Sequence, residues 1–350
     1  MNQEIKPQEL LNNGYELVVA ESPSNIALVK YWGKLKGQIP MNPSISYTLD
    51  KCKTTFEVYY KKLATPAESP IFYFEGLIAN KFAGKTLKLI DTIASDFKEL
   101  RNYHLVLNSR NSFPHSSGIA SSASSMSALA FCLMDILEKS SDTNLVSYYA
   151  RLGSGSACRS VFSPMASWGK IKNIENTSDK YATKISDKIS TELRLVGDTI
   201  VLVHEGEKAV SSTDGHALMN SHHFRENRIK NAHKNYLSLI NALELGDIDS
   251  WGQIIESEAL ELHAMMMTSD PAYLLMKPMT LEVIEKVRQI RKEHSVNTFF
   301  TLDAGPNVHI LYPLSEKDVV IPLLKKFLSP LKMIHDQVGK GTKLIKSKKC

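Results

Sequence analysis

Short alternating runs of apolar and polar residues stand near both ends of the chain. Helically spaced apolar positions fill much of the space between them, which predicts strands and helices mixed in both halves. Residues 16–20 and 26–31 read as two buried strands parted by turn chemistry at Ser22-Pro23-Ser24-Asn25. Residues 54–61 and 71–74, rich in β-branched and aromatic side chains, predict an antiparallel pair across the loop 65–70. Leu87, Ile90, Ile93, Phe97 and Leu100 put a helical stripe on 85–102. A strand over 103–109, a loop over 110–118 and a long small-residue helix over 119–137 come next, and then a helix ending near Leu152. Residues 170–191 are polar with little periodicity, and the domain boundary is placed near their end, giving domains 1–190 and 191–350. The second half opens on a strand at 199–204 and continues with amphipathic helices at 222–244, 250–266 and 280–293. It then forms strand 298–302, a tight turn at Asp303-Ala304-Gly305-Pro306 and strand 308–312. The Lys-rich stretch 340–349 reads as a frayed, solvated end. The fold class is therefore α/β or α+β, in two domains.

Composition narrows the function classes. With 350 residues, 43% hydrophobic and 23% charged, the chain can bury a core without disulfides or structural metal. The net charge of +5 comes from scattered residues rather than a basic stripe, which argues against a nucleic-acid partner. Cys52, Cys132, Cys158 and Cys350 form no CxxC pair and lack histidines at zinc spacing, so they read as reduced thiols. No apolar leader stands in residues 1–13 and no apolar run spans a bilayer, so the expectation is a cytoplasmic protein without membrane association.

Four segments carry candidate chemistry. Phe113 to Ser125 places small residues and serines at a helix entrance, where exposed N–H groups and the helix dipole can hold phosphate and hydroxyls can reach Mg²⁺. The Walker spacing is absent, and tight helix packing explains such a stretch equally well. Arg151 to Ser160 offers hydroxyls and the Arg159 guanidinium, whose planar fork suits carboxylate or phosphate; a glycine-rich helix junction is the simpler alternative. Asn25 to Lys34 clusters two lysines and two aromatics after an apolar strand, as an anion site or as snorkelling lysines. Asp303 ends an apolar strand, placed for base work or only for a turn. Together the four supply what phosphoryl transfer needs, which is positioning and charge neutralisation.

These segments resemble the diphosphomevalonate decarboxylases of the GHMP small-molecule kinase superfamily. Asn25-Ile26-Ala27 with Lys30-Tyr31-Trp32-Gly33-Lys34 is similar to their N-terminal motif, Phe113 to Ser122 to their phosphate loop, Gly153 to Ser160 to their substrate loop and Asp303 to Asn307 to their aspartate motif. Ser211 to Gly215 and Leu262-His263-Ala264 are weaker echoes, so the likeness runs from about residue 20 to about residue 312. It implies a GHMP kinase fold, with a ribosomal-S5-domain-2-like N-terminal domain, a ferredoxin-like C-terminal domain and the active site between them. It also implies phosphorylation of the 3-hydroxyl of 5-diphosphomevalonate by ATP with Mg²⁺, loss of phosphate and CO₂, and a homodimer. By the same resemblance Asp303 handles the hydroxyl proton, Lys30 neutralises charge beside it and Arg159 grips the carboxylate. Tyr31, Lys34, Ser154, Ser156, Ser212, Thr213 and Ala304 surround the substrate, and Ser116, Ser117, Gly118, Ser121 and Ser122 hold the ATP phosphates. No metal ligand is assigned.

Departures from the family pattern are His115-Ser116-Ser117 where Thr-Ala-Ala is common, Pro43 for a serine, Thr213 where several bacterial members carry arginine, and His216 where methionine is common. The last two lie near the implied diphosphate site and bear on the substrate's phosphorylation state. Three alternatives therefore accompany the expectation: a phosphomevalonate decarboxylase, a mevalonate 3-kinase, and a non-catalytic nucleotide-binding regulator.

Overall fold

A computed structural model describes residues 4–80, 83–114, 119–185, 189–206 and 212–347, with the side chains of Ser212 and Thr213 outside the description. In the first half, α1 (Pro7–Asn12) precedes β1 (Glu16–Val29), β2 (Ser44–Lys62), β3 (Ile71–Phe74) and β4 (Leu77–Ile78). Then come α2 (Ala83–Asp96), β5 (Tyr103–Asn111), α3 (Ser121–Ile136), α4 (Thr143–Gly153), α5 (Ala157–Ser160), β6 (Met165–Trp168) and β7 (Thr183–Lys184). The second half contains α6 (Thr191–Arg194), β8 (Val196–Leu202), α7 (Ser212–Leu218), α8 (Arg225–Leu245), α9 (Ile248–Met267) and α10 (Pro278–His294). It ends on β9 (Phe299–Leu302), β10 (Val308–Pro313), α11 (Lys317–Leu328), β11 (Lys332–Gln337) and β12 (Lys343–Lys346).

Two sheets organise these elements. The larger runs β12-β1-β2-β5-β3-β4, with β6 and β7 continuing from one end of β2; the smaller runs β11-β8-β10-β9. α2, α3 and α4 cover the larger sheet through a core around Phe56, Leu107, Leu129 and Leu133. α10 and α11 cover one face of the smaller sheet through Val287, Phe300, Ile310 and Leu324. Its other face meets α8, α9 and the inner end of the larger sheet through Ile45, Tyr47, Tyr236 and Trp251. Asp336 of β11 fastens the two sheets, accepting hydrogen bonds from the backbone N–H groups of Asp50, Lys51 and Cys52 at 2.8–3.0 Å. Among the described residues no helix is long and apolar enough to cross a membrane.

Three expectations are corrected. Ser22-Pro23-Ser24-Asn25 does not turn: β1 continues through it, and the register against β2 merely shifts between Pro23 and Asn25. The proline sits at a register break in which Ser24 of β1 and residues 49–52 of β2 are skipped, and the chain is not reversed. Strands β2 and β3 do not pair; β5 lies between them, antiparallel to β2 and parallel to β3. The interval that reads as a hairpin loop is thus a crossing connection, a distinction that local propensity cannot make. The lysine-rich end is not frayed over 343–346, because β12 pairs antiparallel with β1, Val19 opposite Lys346. Thr342 anchors it, bonded to the Ser22, Ser127 and Ser160 region at 2.7–3.0 Å.

Candidate active site

The cleft lies where β1, α5 and the β9–β10 turn converge. Lys30 leaves the end of β1 and Asp303 leaves the end of β9, so two strands from different sheets deliver opposite charges to one point. Lys30 Nζ lies 3.4 Å from Asp303 Oδ1 and donates to the Ala27 carbonyl at 2.6 Å. The lysine side chain is 2% exposed and the aspartate 26%, so the carboxylate is the member that meets solvent or substrate. Burial pushes the Lys30 ammonium below its usual range, while Asp303 and then Glu258 oppose that shift.

The backbone of Lys30 is clamped. Its N–H donates to Glu258 Oε2 at 2.8 Å, and its carbonyl accepts from Arg228 Nη2 at 3.0 Å and Asn42 Nδ2 at 2.9 Å. Glu258 and Arg228 are fully buried and bonded to each other at 2.7 Å, and Glu261 and Asn235 satisfy further atoms of the pair. Burial alone would raise Glu258 and lower Arg228, but mutual attraction wins, holding the carboxyl below and the guanidinium above their ordinary values. Helices α8 and α9 of the second half therefore fix a residue of the first. His263 of α9 does the same for Asp303, with Nε2 at 3.1 Å from the Asp303 carbonyl; burial pushes this imidazole down to about 4, so it stays neutral and donates there.

Arg159 projects from α5, which begins after the Gly155 turn. A side chain at Gly155 would meet the Tyr31 ring at 2.8 Å, so glycine permits the close approach of loop and ring. The guanidinium is 2% exposed and donates to Ser46 Oγ at 2.9 Å, Ser44 Oγ at 2.7 Å and Asn25 Oδ1 at 3.3 Å. All three acceptors are neutral. Among the described residues Arg159 has no carboxylate within salt-bridge distance, and burial lowers its pKa. Five N–H groups minus three spent leaves two for an anion.

The same cleft is lined by Tyr31, Lys34, Ser122, Ser154, Ser156, Lys85 and Ala304. Among the described residues the buried Tyr31 hydroxyl has no partner, and burial first of all raises its pKa, so it is a neutral phenol. Lys34 is half-buried near Lys85 and Lys88, whose charges join burial in lowering its pKa. A second hollow shares Lys85 and Ser122 and continues along α3 past Ser121, Ser125, Asn111, Phe72 and Phe74. Among the described residues no side chain caps the first turn of α3, and Ala120, Ser121 and Ser122 at that turn line the two hollows. Its serines divide by helical face. Ser124 bonds Thr54 and Ser127 bonds Thr342, so these two serve packing, whereas Ser121, Ser122 and Ser125 face the hollows.

Of the sequence-predicted residues, Lys30, Tyr31, Lys34, Ser122, Ser154, Ser156, Arg159, Asp303 and Ala304 line one cleft, and Ser121 lines the adjoining hollow. Ser116, Ser117 and Gly118 lie outside the described residues, and of Ser212 and Thr213 only the backbone, opening α7, is described. Sequence reasoning assigned no role to Asn25, Ser44, Ser46, Arg228, Glu258 or His263. Glu258 carried a weak signal as a charged residue on the buried stripe of an amphipathic helix.

The family models match this arrangement over nearly its whole length. The diphosphomevalonate decarboxylase-like N-terminal domain matches residues 22–182, and the mevalonate 5-diphosphate decarboxylase C-terminal domain matches residues 199–349. The chain belongs to the diphosphomevalonate decarboxylase family. Its fold is the GHMP kinase fold of that family, and the family's enzymes are ATP-dependent decarboxylases. A diphosphomevalonate decarboxylase of Ganoderma lucidum is 27% identical over 91% of this chain and 84% of its own length. The phosphomevalonate decarboxylase of Haloferax volcanii is 28% identical over 81% of this chain and 84% of its own. A structure of MDDEF in complex with MVAPP, AMPPCP and magnesium superposes with a TM-score of 0.85 at 29% identity, covering 95% of this chain and all (100%) of that one.

Proposed function

We propose that this chain catalyses ATP-dependent decarboxylation of 5-diphosphomevalonate to isopentenyl diphosphate, ADP, phosphate and CO₂. The observation that carries the assignment is Arg159, a buried guanidinium with two spare donors and only neutral partners, in the same cleft as the Lys30–Asp303 pair. A buried cation without a counter-ion is costly unless a ligand supplies one, and a substrate carboxylate fits the planar fork. Asp303, partly exposed, accepts the proton of the 3-hydroxyl as that oxygen bonds to the γ-phosphorus of ATP and ADP departs. Phosphate then leaves C3 with its bonding electrons, and the electrons of the bond to CO₂ form the new double bond. Arg159 holds the carboxylate in line, and Lys30 balances the charge that gathers beside Asp303.

The uncapped α3 terminus, Ser121, Ser122, Lys85 and Lys34 suit the phosphates of ATP and the diphosphate, and the hollow beside Phe72 and Phe74 suits the nucleotide base. Magnesium would be held by phosphate oxygens together with the Ser121 and Ser122 hydroxyls or Asp303, which line the cleft and its adjoining hollow; its chemistry would be charge neutralisation. Ser116, Ser117, Gly118, Ser212 and Thr213 complete the binding set by resemblance alone. The work divides at about residue 190, supported by β7 belonging to the larger sheet and β8 to the smaller. A cytoplasmic homodimer completes the proposal.

The Haloferax relative favours a second reading, decarboxylation of the monophosphate. Measuring ADP and CO₂ with ATP, Mg²⁺ and mevalonate, 5-phosphomevalonate or 5-diphosphomevalonate separates the cases. Equal ADP and CO₂ with the diphosphate alone supports the assignment. Preference for the monophosphate supports the second reading, and ADP without CO₂ would make the chain a kinase.

A further inference from the structure

His216 stands in the cleft without a role in the chemistry above. It belongs to α7, and α7 is seated directly on the β1 exit: a Cβ on Gly215 would meet the Trp32 ring at 2.6 Å. The imidazole lies between Tyr31, at 4.2 Å between ring centroids, and Trp32, at 4.7 Å. The Gly33 N–H donates to His216 Nδ1 at 3.0 Å. That bond fixes the tautomer, because a ring nitrogen accepting from an amide cannot carry the proton of a neutral imidazole, so Nε2 carries it. Among the described residues Nε2 has no hydrogen-bond partner, and the ring lines the cleft while being 8% exposed. Burial first, and then the charges of Lys34 and Arg159, push the imidazole down to about 3. A fixed neutral donor beside Lys34 is thus set where an anion is to be bound without a third cation.

We propose that His216 is a specificity-determining residue whose Nε2–H donates to the 5-phosphoryl group of the substrate and so favours phosphorylated over unphosphorylated mevalonate. His216 packs on Tyr31 and lines one cleft with Lys34, the residue assigned above to the diphosphate, and this sets it at the phosphoryl end. This rests on the function proposed above, but only for the identity of the substrate. Methionine, common at this position in the family the chain resembles, is similar in bulk and has no N–H to offer.

The test compares wild type, His216→Met and His216→Gln by calorimetric binding of 5-diphosphomevalonate, mevalonate and inorganic pyrophosphate, with ¹⁵N NMR of the histidine rings. A hydrogen bond to a charged acceptor is worth about tenfold or more in affinity. His216→Met is expected to weaken diphosphomevalonate and pyrophosphate roughly tenfold to thirtyfold and mevalonate less than threefold. His216→Gln, which restores an N–H donor, is expected to recover at least half of that loss on a logarithmic scale. The wild-type ring is expected to show the Nε2-protonated tautomer, with its Nε2 resonance shifting when pyrophosphate binds. Equal weakening of mevalonate and diphosphomevalonate, no rescue by glutamine, or an Nδ1-protonated ring would each overturn the proposal. The NMR readout decides even if a variant fails to fold. Absence of turnover with diphosphomevalonate would instead undo the functional assignment, leaving the pyrophosphate comparison to judge His216.

Discussion

Replacing Arg159 by glutamine should separate activity from stability. The guanidinium spends three of its donors on Ser46, Ser44 and Asn25. If the remaining two hold the substrate carboxylate, each is a charge-assisted bond worth about 1.5–3 kcal/mol. Their loss amounts to about 3–6 kcal/mol of transition-state binding, or roughly 10²–10⁴ in kcat/KM. The free protein should respond differently. Truncating one member of a buried ion pair costs about 3–5 kcal/mol, but Arg159 has no such partner among the described residues. Removing its charge relieves a desolvated cation while forfeiting three hydrogen bonds, one of which glutamine can replace, so the net change should stay within about 2 kcal/mol. Urea unfolding of the free enzyme and steady-state ADP release measure the two quantities separately. Adding diphosphomevalonate should raise the melting temperature of wild type and leave the variant nearly unmoved. A kcat/KM within tenfold of wild type, or a stability loss above about 4 kcal/mol, would show that Arg159 is a structural strut rather than an anion grip.

Glu258→Gln should lower kcat, because the Lys30 N–H then loses a charged acceptor, and should cost about 2–4 kcal/mol of stability as Arg228 loses a buried partner but keeps Glu261; intact kcat in a folded variant would remove the clamp from the account. His216 and His263 are held neutral at about 3 and about 4, whereas both bind protons near 6.5 when unfolded. Their stabilisation is therefore full above pH 6.5 and falls with acidification by about 1.4 kcal/mol per pH unit for each, down to about pH 4. Urea midpoints from pH 7 to 4.5 should show a shallower slope in His263→Gln, and an unchanged slope would contradict the burial of that neutral ring. Ending the chain after Gly341 removes β12 and the Thr342 bonds to Ser22, Ser127 and Ser160. A loss of several kcal/mol in urea unfolding is expected, and a neutral effect would restore the picture of a solvated tail.

Much of the site was legible because its residues fall in short local motifs. Lys30, Tyr31 and Lys34 share one strand exit, Ser154, Ser156 and Arg159 share one loop, and Asp303 opens one turn. Long-range relations were less legible. Nothing local to β2 or β3 says that β5 will come between them, since pairing partners are chosen by packing rather than propensity. The lysines of β12 read as solvated because Lys343 and Lys346 are in fact exposed on this edge strand, and its anchoring rests on Thr342 touching three distant serines. Glu258 and Arg228 are two charges on separate helices, and only the fold shows that they meet at 0% side-chain exposure around the Lys30 backbone. His216 was visible as a departure from the family pattern, but its tautomer depends on the Gly33 N–H and so on the seating of α7.

The most direct test of the catalytic account is single-turnover chemistry in Asp303→Asn, whose side chain keeps the size of the original and cannot take a proton from the 3-hydroxyl. Binding of diphosphomevalonate should stay within about threefold of wild type, because Arg159, Tyr31 and Lys34 are untouched. Release of ADP and CO₂ should fall together by at least about 10³. Near-normal release of both products would contradict a role for Asp303 as the base and, with it, the assignment of the Lys30–Asp303 pair as the reacting centre.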